Sequence, residues 1–179
     1  MTSPRLLPTF VLLGCGVLVT IAPTSAQPEK RTEEFSAIFA NISNVGATGA
    51  APVTIRITRW TDDAEHERLM SILGSKGMEP LVRALQNAKS VGSIGTPQEL
   101  PYDLRYARQY PSENGGRRIV LMSDRPMAPA ERLSAAASRD YPLTWIELRL
   151  DANGRGEGSV SLAARLRLVG DILGIEDFA

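Results

Sequence analysis

The chain has 179 residues, 43% of them hydrophobic, with 20 basic against 20 acidic side chains, one histidine and one cysteine. A near-zero charge balance gives no support for nucleic-acid binding, which relies on a basic surface to neutralise phosphates. A single histidine and a single cysteine leave few ways to assemble a metal centre or a nucleophilic triad.

The opening stretch, MTSPRLLPTFVLLGCGVLVTIAPTSAQ, carries one positive charge at Arg5, an apolar run over residues 10–22, and small residues at Thr24-Ser25-Ala26. This is the order of a secretory signal peptide, most simply cut after Ala26, and it predicts a secreted or periplasmic protein. The apolar run falls short of the ~20 residues that span hydrocarbon, so no stable membrane span is expected in the mature chain. Leu12-Leu13-Gly14-Cys15 loosely resembles a lipobox. Cys15 lies inside the apolar run, however, which continues through Val17, Leu18 and Ile21, and this disfavours a lipoprotein. Removing 26 of 179 residues leaves 153, enough for one domain with a real core at 35–179. The cut also removes Cys15, so the mature chain is expected to hold no disulfide and to rely on packing.

Residues 27–34 are polar and read as a loosely ordered new N-terminus. A first strand is predicted over residues 35–42, followed by a Gly/Ala/Pro connector at 47–52. Over residues 53–59, Val53, Ile55 and Ile57 alternate with Thr54, Arg56 and Thr58, as in a strand with one buried and one wet face. The period then changes. Asp62 is placed to cap a helix, with Glu65 three residues on. Leu69, Ile72 and Leu73 form its apolar face, and Gly74 or Gly77 is placed to end it. A second helix has Pro80 in its first turn, Leu81, Ala84, Leu85 and Ala88 as its stripe, and Gly92 as its stop. The pair reads as an αα-hairpin inserted between strands.

From Tyr102 the pattern returns to strands. YDLRYARQY and RRIVLMSD flank SENGG, a strong hairpin signal. If Asn114 and Gly115 are the two central turn residues, Arg105 faces Asp124, and Tyr106, Tyr110, Ile119 and Leu121 share a face. Arg108 falls on that face as well, which requires either a side chain that snorkels at the sheet edge or a longer loop with another register. Residues 127–140 read as a short helix. LTWIELRL and SVSLAARLRL, joined by DANGRGEG, form a second hairpin, with Val160, Leu162, Ala164, Leu166 and Leu168 at every second position. A last strand is predicted from Ile172 to Phe178. The expected class is α+β: a mainly antiparallel sheet of six to seven strands with an inserted αα-hairpin and one short helix.

The candidate catalytic residues are His66, Asp62 and Asp124. Asp62 and His66 lie one helical turn apart in an acidic stretch. His66-Glu67-Arg68-Leu69-Met70 begins like a zinc-protease helix, yet puts Met where the second His belongs. No Gly-x-Ser-x-Gly elbow is present to serve a triad. An acidic first turn is also what the helix dipole favours without any catalysis. DANGRGEG resembles the start of a calcium loop, which makes Asp151, Asn153 and Glu157 the candidate cation ligands. Arg155 stands where an oxygen ligand belongs and the bidentate acid is missing, so a Gly-rich turn is the simpler reading and no cofactor or metal is expected.

The runs ITRWT, YDLRYARQ, GGRRIVLMSDRP and IELRLDANGRGEG together resemble a family of uncharacterised exported bacterial proteins, over roughly residues 53–168. The resemblance implies export and a single domain, and carries no activity or site residue onto these positions. Three functions stay open. The first is a non-enzymatic exported module binding a small apolar ligand or an envelope protein, with Trp60, Trp145, Tyr102 and Tyr106 as either pocket lining or core. The second is a carboxylate-dependent hydrolase acting on an envelope substrate. The third is an assembly partner that lends residues 172–178 as an edge strand.

Overall fold

In a computed structural model the described residues are 32–40, 50–112, 115–127, 140–169 and 172–177. The expected signal segment at 1–26 with Cys15, the expected turn residue Asn114, and most of the short helix expected at 127–140 lie outside them.

The first strand, β1 (Glu33–Ala40), begins inside the polar stretch and runs antiparallel to β2 (Ala50–Ile57). β2 starts within the expected connector, because Ala50, Ala51 and Pro52 pair with Ala40, Phe39 and Ile38. Pro52 is tolerated there, near the start of its strand. The helices follow as an αα-hairpin. In α1 (Asp63–Lys76) the Asp62 carboxylate accepts the Glu65 backbone N–H at 2.8 Å. Glu65 does not close the box by bonding back to Asp62; its carboxylate is taken by Arg59 at 2.9 and 3.3 Å. Gly77 ends α1 at φ +82°, donating its N–H to the Leu73 carbonyl. α2 (Met78–Gln86) is stopped by Asn87 and not by Gly92: the Asn87 side chain donates to the Arg83 carbonyl at 2.9 Å. Gly92 instead opens β3 (Gly92–Gly95), where a Cβ would lie 2.0 Å from the Arg56 carbonyl oxygen. That glycine serves strand contact.

The single sheet expected from sequence is in fact two. Nine strands are present among the described residues, in a four-stranded sheet of order β1-β2-β3-β4 and a five-stranded sheet of order β5-β6-β7-β8-β9. All pairings are antiparallel. The division falls inside YDLRYARQY. β4 (Tyr102–Leu104) belongs to the first sheet and β5 (Tyr106–Pro111) to the second, with Arg105 at the corner between them.

Arg105 holds this corner. Its backbone N–H donates to the Met122 carbonyl, and its guanidinium reaches Asp124 at 2.9 Å, Asp103 at 3.3 Å and the Ala88 carbonyl at 3.2 Å. The pairing of Arg105 with Asp124 is as expected, but the register that suggested it is off by one. β5 and β6 (Arg117–Met122) set Tyr106 opposite Met122 and Pro111 opposite Arg117, with Ser112 N–H donating to Gly116 across a longer loop. A one-residue slip exchanges faces. Tyr106 and Tyr110 therefore share theirs with Val120 and Met122, while Ala107 lies with Ile119 and Leu121. Gly115, at φ +75°, supplies the left-handed backbone the loop requires.

The second sheet is buried on both faces, so Ile119, Val120, Leu121 and Met122 are all inaccessible. One face packs on the first sheet through Ile55, Ile57, Val91 and Leu104. The other packs on the helices through Leu69, Leu73, Leu81 and Leu85. The molecule is thus a sheet, a sheet and a helical layer. β7 (Leu143–Leu150) pairs with β8 (Gly156–Val169), and a bulge opposite Thr144 divides the alternating apolar run of β8. Val160 and Leu162 pack with the first sheet's core, whereas Ala164 and Leu166 pack with the helices. The extra residue reverses the strand's facing, which is what bulges do. β9 (Ile172–Asp177) forms the edge beyond β8.

Replacing Arg105 by Ala is expected to destabilise the fold by about 2–4 kcal/mol, because Asp124 is left half-buried without its cation. Arg105→Lys should recover little of this, since one ammonium cannot reach three acceptors set around a planar fork. Urea unfolding midpoints of the three proteins check both statements; full recovery by Lys would refute the corner assignment.

Candidate functional site

An apolar cavity lies between the two sheets. It is a cavity of about 170 Å³ to which six strands contribute. Ala37 and Phe39 come from β1, Val53 and Ile55 from β2, and Ile94 and Gly95 from β3. Ile146 and Leu148 of β7 and Gly158 and Val160 of β8 form the opposite wall. Two of the lining glycines mark close approaches: a Cβ at Gly95 would lie 2.9 Å from the Pro101 Cα. Leu148 leans into the gap at Gly158, where a Cβ would come within 2.7 Å of its Cδ2. The β3–β4 loop rims the cavity with Thr96, Glu99 and Leu100. Leu100 is 90% exposed and Ile38, also in the lining, is 70% exposed, so two large apolar side chains stand in water beside the opening.

Of the four aromatics weighed as lining, Tyr102 takes that place. Trp60 packs against the inter-sheet core, and Trp145 and Tyr106 lie in the core under the helices. Sequence reasoning did not find the rest of the lining. The nearest signal was Gly156-Glu157-Gly158 at the start of a strand, since glycine inside a strand marks a close approach or a gap.

The candidate catalytic residues go to separate structural duties. Asp62 caps α1 and Asp124 anchors Arg105. His66 lies half-buried on α1, where its Nδ1 is 2.8 Å from the hydroxyl of Tyr106, a residue 1% exposed. None of the three lines the cavity. Burial holds the His66 pKa below its ordinary value; the Arg108 charge adds to this, and Asp63 and Glu67 oppose it. A neutral ring and the Tyr106 hydroxyl share this hydrogen bond at Nδ1. Burial, helped by Tyr110, raises the Tyr106 hydroxyl well above its usual range, so it stays a donor. Arg108, the awkward residue of the hairpin, pairs with Asp63 at 2.7 Å and lies over the Tyr110 ring at 5.8 Å.

The candidate cation ligands organise a turn. One Asp151 carboxylate oxygen accepts the backbone N–H groups of Asn153 at 2.8 Å and Arg155 at 3.0 Å. The bond from Arg155, chiefly, lowers the Asp151 pKa. Glu157 is exposed on β8, opposite Arg149. Among the described residues no group of three His, Cys, Asp or Glu side chains is placed to hold a metal ion.

No family model, no curated protein and no solved structure matches the chain.

Truncating His66 to Ala is expected to cost about 1–3 kcal/mol, because the buried Tyr106 hydroxyl loses its hydrogen-bond partner on α1. In a Tyr106→Phe background the same truncation should cost less, as no hydroxyl is left stranded; additive costs would refute the pairing. Since the folded pKa of His66 is depressed, its contribution is present above the unfolded value near 6.5 and is lost as pH falls through the folded value. Wild-type stability should therefore drop from pH 7 towards pH 5, and part of that drop should vanish in His66→Gln.

Proposed function

We propose that this chain is an exported, non-enzymatic binding module that takes a small apolar group between its two sheets. The observation that carries the reading is the cavity itself, whose lining includes one charged residue, Glu99, against twelve Ala, Ile, Leu, Val, Phe and Met side chains. A general acid–base site requires converging titratable groups, whereas the side chains of His66, Asp62 and Asp124 are taken up by a helix dock, a helix cap and a corner. An apolar enclosure with a few polar groups at its rim is the usual form of a small-molecule site.

Size limits the ligand. An apolar cavity of about 150 Å³ accommodates benzene in another protein. The present volume therefore suits one ring or a short alkyl chain, and any longer ligand must extend past Ile38 and Leu100. Export is the companion proposal, resting on the signal-like residues 1–26 and on the resemblance to exported bacterial proteins.

Val160→Phe, which adds a ring at the half-buried β8 wall, is expected to keep the fold and abolish binding of 1-hexanol as followed by NMR shifts of the lining methyl groups. Unchanged hexanol binding in a folded variant would refute the cavity as the site. For export, intact-mass measurement of protein purified from the native envelope should give a chain beginning at Gln27; a chain retaining Arg5 would refute cleavage.

A further inference from the structure

Resting on the cavity reading above, we infer that its ligand is a short cationic amphiphile: an apolar group of roughly six to eight non-hydrogen atoms carrying an ammonium head. Three observations lead there. The cavity volume of about 170 Å³ sets the size of the apolar part. The exposed Ile38 and Leu100 beside the opening extend an apolar path outwards, so the ligand leaves the cavity along side chains that themselves gain by being covered.

The third observation is charge. Glu99, on the loop between β3 and β4, is the one ionisable acid or base among the lining residues apart from the phenol of Tyr102. It is solvent-exposed, and no described basic side chain forms a salt bridge with it. Several acids on the sheets are matched, Glu33 with Arg117, Glu34 with Arg56, and Glu147 with Arg118 and Arg149, and none of these matched acids lines the cavity. Glu99 thus supplies a negative charge at the mouth of an apolar chamber, which attracts a cationic head and repels a carboxylate. Arg125 lies over the Tyr102 ring, 5.2 Å from its centroid, and does not line the cavity.

The test compares hexylammonium, 1-hexanol and hexanoate binding to the full chain by NMR titration at low salt, in wild type and Glu99→Gln. Because Glu99 is exposed, hexylammonium is expected to bind about two- to fivefold more tightly than hexanol, and hexanoate more weakly than either. Glu99→Gln should bring hexylammonium to the level of hexanol, and added salt should shrink the wild-type preference. Hexanol binding as tightly as hexylammonium, or a preference that survives Glu99→Gln, would overturn the cationic head and leave the cavity reading standing. If none of the three binds, the cavity reading falls and this inference with it.

Discussion

The corner at Arg105 is the constraint on which the architecture depends. Leu104 is buried in the inter-sheet core and Tyr106 in the core beneath the helices, only two residues later. A chain that makes this passage must leave one sheet and enter the other, and its backbone polar groups still need partners. The Arg105 N–H finds the Met122 carbonyl, and the guanidinium ties together the end of β4, the segment after β6 and the loop after α2. With that fixed, the second sheet becomes the middle layer, covered on one side by the first sheet and on the other by the helices.

A middle layer must be apolar on both faces, and this explains why the alternation read from the sequence is misleading in places. RRIVLMSD has a continuous apolar centre, as a doubly covered strand should. The run from Val160 to Leu168 looks like one buried face, but the bulge opposite Thr144 turns its two halves to different cores. The Thr144 hydroxyl donates to the Leu162 carbonyl at 2.8 Å, and its oxygen accepts the Met127 N–H at 2.9 Å, so the irregularity is satisfied by hydrogen bonds. Nothing in the spacing of apolar residues announces an inserted residue.

Local signals were legible and long-range ones were not. Asp62, the helical stripes and the glycine-containing hairpin loop act over a few residues, and each was found in its place or within one or two residues of it. The register of β5 on β6 depends on how many residues the loop consumes, which Asn114-Gly115 alone does not specify. β3 has four residues, two of them glycine, and carries too little side-chain pattern to read as a strand. The cavity was illegible for the same reason as the register: its walls come from six strands, brought together only by the pairing of distant segments.

The polar side chains that first suggest chemistry are mostly spent on closing the structure. Thr61 illustrates this at the edge strand β5, where it donates its N–H to the Ala107 carbonyl and accepts the Ala107 N–H on its hydroxyl, at 2.8 and 3.0 Å. These bonds occupy an edge that otherwise invites another strand. His66 on Tyr106 and Asp63 on Arg108 secure α1 to the same strand. The inter-sheet gap is the opposite case. Were it sealed and empty, 170 Å³ of missing packing would cost about 4 kcal/mol at ~24 cal/mol per Å³. Three buried side-chain polar atoms lack a partner among the described residues, Arg59 Nε, Arg108 Nε and Trp145 Nε1, and none belongs to a residue lining the gap. What its apolar walls lack is van der Waals contact, which the proposed apolar guest would supply.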